Sequence, residues 1–329
     1  CEFALVLKPD DADIHNLLGC SLKNQGKLND AITAFQHTLE LKSDYANAYS
    51  NMASVLRVLG RFDEAITTCQ RALELDLKNT HIHNNLGNAF KEKGKLQDAI
   101  LAYSRAVEID PRNESAEVLM LHQKQHICDF SIADNLADAS ARLGTVDQAV
   151  PTFATLSWVD NPREQFLRSK TWARSKFKQQ ASFSFATPAV RPTRLKIGYF
   201  SADFHDHATM YLMAGLLREH DSHQFEVFAY SYGRRKSGVW RQKAEQVAHH
   251  FYDVTDQSDL QIVDLARSHA LDIAIDLKGY TQNSRSAIFQ YRLAPIQINY
   301  LGYPGSMAAD FIDYIIADPT VIPDNQRQF

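Results

Sequence analysis

Three stretches of the chain superimpose when shifted by 34 residues, and that period constrains the fold more than any other feature. Leu18-Gly19, Met52-Ala53 and Leu86-Gly87 coincide, as do Gly26, Gly60 and Gly94, and again Ala31, Ala65 and Ala99. A unit this short cannot bury an apolar face alone, so its copies must stack into an array with a continuous core. The small residues Gly19, Ala53 and Gly87 fall where two helices of one unit approach. Phe35, Cys69 and Tyr103 recur where a larger side chain fills the gap to the next unit.

Each unit reads as a helix, a turn around Gly26, Gly60 or Gly94, and a second helix closing near Leu41, Leu75 or Ile109, with Pro111 as the last stop. This resembles the tetratricopeptide repeat, so residues 1–126 are expected to form an α-solenoid. Pro9 and Ala4 fall in the phase of Pro111 and Ala106, which makes residues 1–11 the tail of an earlier unit and implies a longer native array. Asn51 and Asn85 share one phase on the first helix of their units; the first unit has Leu17 there, with Asn16 beside it.

Helical periodicity continues from Glu114 while the repeat signature decays. Residues 127–193 read as a helical connecting region that ends, over 179–194, in a linker of Ser, Pro, Thr and basic residues. From Leu195 the period changes. Strands are expected near 195–200, 225–230, 250–254, 272–277, 296–301 and 314–317, with helices near 211–217, 241–248, 259–268 and 285–289 between them. Alternation of this kind predicts a mostly parallel sheet, a Rossmann-like α/β lobe over 194–329. No GxGxxG and no GxxxxGKS is present, which leaves a dinucleotide dehydrogenase and a P-loop enzyme unsupported.

Ligands of such sheets sit beyond the carboxyl ends of the strands, and the loops expected there carry the distinctive residues. Asp203-Phe204-x-x-His207, Asp276-Leu277-Lys278-Gly279-Tyr280-Thr281, Arg292-Leu293-Ala294-Pro295-Ile296-Gln297 and Leu301-Gly302-Tyr303-Pro304-Gly305 occur in that order. Together with the repeats, these motifs closely resemble the protein O-GlcNAc transferases and the SPINDLY-like proteins.

The resemblance implies half of a GT-B fold, the amino-terminal catalytic lobe, with family members continuing into a second lobe beyond Phe329. A fragment of that kind is expected not to turn over by itself. It also implies transfer of N-acetylglucosamine from UDP-N-acetylglucosamine to Ser or Thr of polypeptides. The alternatives are a GDP-fucose-dependent O-fucosyltransferase and a repeat scaffold without catalysis.

By the same resemblance, His207 is the active-site histidine, Asp203 its acidic partner, and Thr209, Gly302, Tyr303 and Pro304 line the substrates. Asn51 and Asn85 line a groove that holds the acceptor's backbone. The family's proline after the histidine is Ala208 here. From the residues alone, Asp203 and His207 stand four apart across a strand-to-helix turn, so the carboxylate can orient or charge the imidazole. A helix cap and a surface histidine are the plainer readings of the same pair. Arg285 and Lys278 flank one loop, placed either to meet phosphate or acceptor charge or to be solvated basic side chains.

Composition narrows the rest. With 35 basic and 39 acidic residues the net charge is -4, so no whole-chain field favours nucleic acid or an anionic membrane. The four cysteines, Cys1, Cys20, Cys69 and Cys128, show no ligand spacing and read as reduced thiols, consistent with the cytoplasm. No apolar run reaches the roughly 18 residues of a membrane helix. His205-Asp206-His207 lacks a third ligand in sequence, so no metal and no cofactor is expected.

Overall fold

The structure, a computed structural model, describes residues 8–177 and 192–329. Cys1, Ala4 and most of the expected tail, and most of the expected linker, lie outside the described residues. The chain divides into two compact units, residues 1–143 and 144–329, so the division falls inside the 127–193 region.

In the first unit, α1 (Ala12–Asn24), α2 (Leu28–Leu41), α3 (Ala46–Val58), α4 (Phe62–Leu75), α5 (Thr80–Glu92) and α6 (Leu96–Ile109) form three helix pairs. Gly26, Gly60 and Gly94 take φ near +77, +77 and +80, a left-handed conformation that a side chain would strain. The small-against-large pairing is physical. A Cβ on Gly19 would lie 2.6 Å from the Phe35 ring, and one on Gly87 would lie 2.5 Å from Tyr103.

Phe35, Cys69 and Tyr103 are fully buried, and burying a large apolar side chain contributes roughly 1.5–3 kcal/mol. First helices also touch across units, α1 against α3 and α3 against α5, so they form one row. Beyond the pairs, α7 (Glu114–His126) ends at Cys128, which has φ 55, and α8 (Ala133–Arg142) closes the unit. Ordered helix therefore extends past residue 126.

The second unit opens with a 3-10 turn, Thr152–Thr155, and α9 (Pro162–Lys176), capped by the Asn161 side chain with Pro162 at its first position. The sheet contains β1 (Leu195–Ser201), β2 (Phe225–Ser231), β3 (His250–Asp253), β4 (Ile273–Asp276), β5 (Ile296–Tyr300) and β6 (Tyr314–Ile316). Its order is β3-β2-β1-β4-β5-β6 and every pairing is parallel. Connections run through α10 (Ala208–Arg218), α11 (Val239–Val247) and α12 (Asp259–Ser268). Residues 286–291 form a 3-10 turn where the sequence suggested a helix.

Period 2 divides the strands between two cores. Ile197 and Tyr199 of β1 pack with Met210, Met213 and Ile275 on one face. Phe200 packs with Tyr230, Ile262 and Phe289 on the other. Both faces are covered, which is why these strands read as nearly continuous apolar runs. The helix α9 belongs to this unit: Ala173 packs with Tyr303 and Met307, and Phe177 meets Phe311 edge-on at 5.0 Å.

Candidate functional site

Strand order decides which loops meet. After β1 the chain builds outward through β2 and β3, then returns to place β4 on the other side of β1. The carboxyl ends of β1 and β4 are thus neighbours at the point where the winding reverses, the usual ligand crevice of such sheets. Loop 201–207 leaves β1 there and loop 277–285 leaves β4.

Asp203 and Lys278, 75 positions apart, meet across that point. Lys278 Nζ donates to Asp203 Oδ2 at 2.7 Å, and both side chains are 8% exposed. The same oxygen accepts from Thr209 Oγ1 at 3.4 Å and lies 3.5 Å from His207 Nδ1. His207 is the N-cap of α10, and its Nδ1 accepts the Thr209 backbone N–H at 3.2 Å. That bond requires an unprotonated Nδ1, so the neutral ring carries its proton on Nε2. The structure therefore brings His207, Asp203 and Thr209 together. Asp203 lies in the turn between β1 and α10, and the residue that caps the helix is His207, not Asp203.

Next to this group, Asp276 is fully buried. Its Oδ1 accepts the N–H groups of Lys278 and Gly279 at 2.8 and 3.1 Å, and Ser286 donates to its Oδ2. Burial raises its carboxyl pKa, and those donors with the Lys278 charge act against the rise. Asp276 thereby shapes the loop that delivers Lys278. In sequence Lys278 stands at the loop's edge, and its partner, 75 positions away, is not visible there. The available signal was a charged residue directly following an apolar strand at the carboxyl edge of a parallel sheet.

Loop 301–306 leaves β5 alongside. Gly302 lies so close to loop 277–285 that a Cβ there would sit 1.8 Å from the Leu277 carbonyl oxygen. Its role is close backbone approach, in addition to the turn. Pro304 is exposed at the loop surface.

Two nominated residues are placed elsewhere. Tyr303 is a packing residue, buried with its hydroxyl 3.3 Å from Ser169 Oγ of α9. Arg285 is turned to the start of α12, donating to Asp259 Oδ1 at 2.7 Å and the Gln257 carbonyl at 2.8 Å. A structural ion pair engages its guanidinium, and Lys278 is likewise a buried partner and not a solvated basic side chain.

His205 is buried, with its ring 5.6 Å from that of His207, and desolvation lowers its pKa. Among the described residues no group of three His, Cys, Asp or Glu side chains is arranged to hold a metal ion. A cavity of about 360 Å³, with Phe166, Lys170, Asn299 and Asp313 on its wall, contains none of the nominated residues.

In the repeat unit, Asn51 Nδ2 donates to Asn16 Oδ1 at 3.1 Å, and Asn85 Nδ2 donates to Ser50 Oγ at 2.9 Å. Each half-buried asparagine thus ties its first helix to the preceding one.

Residues 172–329 match glycosyl transferase family 41, and residues 12–45 and 44–112 match tetratricopeptide repeat families. The chain is 38% identical over 130 residues to a probable UDP-N-acetylglucosamine–peptide N-acetylglucosaminyltransferase of Arabidopsis thaliana. It is 37% identical over 131 residues to a UDP-N-acetylglucosamine–peptide N-acetylglucosaminyltransferase of Caenorhabditis elegans. Each match covers 40% of this chain but only 13% and 11% of the respective relative. An O-GlcNAc transferase mutant of Thermobaculum terrenum superimposes with a TM-score of 0.59 at 21% identity, covering 96% of this chain and 55% of that one. At that identity the likeness shows the fold.

Proposed function

We propose that this chain, whose residues 172–329 belong to glycosyl transferase family 41 and follow a tetratricopeptide array, serves the transfer of N-acetylglucosamine from UDP-N-acetylglucosamine to Ser or Thr hydroxyls of polypeptides. The observation that carries the proposal is the Lys278–Asp203–Thr209–His207 cluster at the reversal point between β1 and β4. Both curated relatives above are named for that donor.

In the transfer, the hydroxyl oxygen bonds to the anomeric carbon, the bond to the diphosphate breaks with its electron pair, and the hydroxyl proton leaves. With Nδ1 accepting from Thr209, His207 presents Nε2–H and donates to a substrate oxygen. With Nδ1 protonated and turned to Asp203, Nε2 instead accepts the hydroxyl proton. Thr209 and Asp203 compete for Nδ1, and Lys278 moderates the pull of the carboxylate. The proposal gives the step no metal and places the protein among intracellular enzymes; Cys20, Cys69 and Cys128 are free thiols. No described helix is long and apolar enough to cross a membrane.

The test is donor competition: the protein expressed from its gene is given a Ser/Thr peptide with labelled UDP-N-acetylglucosamine or labelled GDP-fucose. Labelling at least about tenfold faster from UDP-N-acetylglucosamine is expected, a difference of roughly 1.4 kcal/mol in the barrier. The reverse preference would assign the fucosyl chemistry, and labelling from neither would leave a scaffold.

The acceptor side makes a separate prediction. An amide whose N–H groups are committed to the preceding helix still offers Oδ1 to a peptide backbone N–H without reading side chains, and each lost hydrogen bond costs about 0.5–1.5 kcal/mol. Asn51→Ala combined with Asn85→Ala should weaken binding of a long extended peptide by about tenfold and leave a short peptide nearly unaffected. Equal losses for both lengths would reduce these asparagines to inter-helix ties.

A further inference from the structure

Lys23, Arg57 and Lys91 repeat at the 34-residue period, one in the last turn of each of α1, α3 and α5. A cation in a helix's last turn complements the helix dipole, and an exposed side chain does that well enough. These three are drawn into the row of first helices. Lys23 Nζ donates across to Ser54 Oγ on α3 at 2.9 Å. Arg57 reaches Glu92 on α5 at 2.5 Å, while its Nε is buried with no partner among the described residues. Lys91 Nζ makes no hydrogen bond among the described residues, while the Lys91 carbonyl accepts from the Gly94 N–H.

Their charges act on one another. Burial lowers the pKa of Lys23 and of Lys91, and the Arg57 charge lowers each further. Glu92 is the carboxylate set among them: it pairs with Arg57 and attracts Lys91. Three partly desolvated cations in a row, with one acid at the Arg57–Lys91 end, leave surplus positive charge, in a chain whose net charge is negative. An anionic ligand here removes like-charge repulsion and restores lost solvation in one step.

We propose that the row formed by α1, α3 and α5 is a docking surface selective for acidic, extended polypeptide segments. This deepens the acceptor reading above and rests on it only for Asn51 and Asn85, which supply the backbone contacts. Touching helices pack about 8–10 Å apart, and an extended chain advances about 3.3–3.6 Å per residue. Carboxylates at every third position therefore come into register with Lys23, Arg57 and Lys91. A peptide is preferred over a nucleic acid because the neighbouring groups are amides suited to a peptide backbone.

The test is fluorescence anisotropy with the full chain and a labelled 14-residue peptide carrying Glu at every third position (about 48 Å extended at ~3.4 Å per residue). Its Gln counterpart and a single-stranded oligonucleotide serve as comparisons. Because binding is read without transfer, failure here leaves the catalytic proposal untouched, and failure of transfer leaves this result standing. The acidic peptide should bind at least about tenfold more tightly than the Gln peptide at about 50 mM salt, with the advantage shrinking at about 500 mM as screening sets in.

Lys23→Gln with Lys91→Gln should remove most of that advantage, and Glu92→Gln should increase affinity about threefold. Glu92→Gln keeps the proposal testable even if loss of the lysines disturbs folding, which circular dichroism reports. Equal binding of the two peptides, no gain in Glu92→Gln, or tighter binding of the oligonucleotide would each overturn the proposal.

Discussion

Asp203→Ala is expected to destabilise the α/β unit by about 3–5 kcal/mol, because it strands the Lys278 ammonium in a buried site without its counter-charge. The two groups lie 2.7 Å apart and are 8% exposed, so solvent cannot take over the carboxylate's role. Thr209 also loses one of the two acceptors near its hydroxyl, the other being His207 Nδ1. The measurement is urea unfolding of the whole chain, read on the transition of residues 144–329.

A buried pair replaced as a whole costs far less than one broken in half. Asp203→Ala combined with Lys278→Met should therefore recover most of the loss, a coupling of about 2–3 kcal/mol between neighbouring sites. If the two single losses simply add, the ion pair contributes nothing and the carboxylate matters for another reason.

The second large effect concerns the histidine. In the protein expressed from its gene, His207→Ala should lower kcat/KM for transfer by about 10²-fold, the size of effect seen when one positioned donor or acid/base group is removed from a transition state. Because His207 also caps α10, alanine confounds two losses. His207→Asn separates them, since asparagine is among the best N-cap residues. It should restore the stability lost in the alanine variant, which is about 1 kcal/mol for a cap, without restoring the rate. Recovery of rate along with stability would make His207 a cap and no more.

Much of this was legible before any fold was seen. A 34-residue period with small residues at Gly19, Ala53 and Gly87, and large ones at Phe35 and Tyr103, leaves few ways to bury the apolar face. The turn glycines then place each chain reversal. Likewise, apolar strands near 195–200, 225–230 and 272–277 separated by helical stretches lead to a parallel sheet with covered faces. In both halves the information is local, since backbone preference and burial periodicity act within a dozen residues. His207, Asp203 and Thr209 were nominated by motif, and they come together because they lie within seven residues of one another.

What local pattern could not supply was every pairing set by strand order. Lys278 reaches Asp203 only because β4 returns to the side of β1, a crossover that periodicity does not encode. Arg285 answers to Asp259 and Tyr303 to Ser169, partners 26 and 134 positions away, so each reads in sequence as an available polar loop residue. Amino-acid pattern over short range determined the helices, strands, turns and the loop carrying the histidine. The charge partners were decided by tertiary structure, because the strength of an ion pair depends on burial and distance, and both exist only once distant segments have packed.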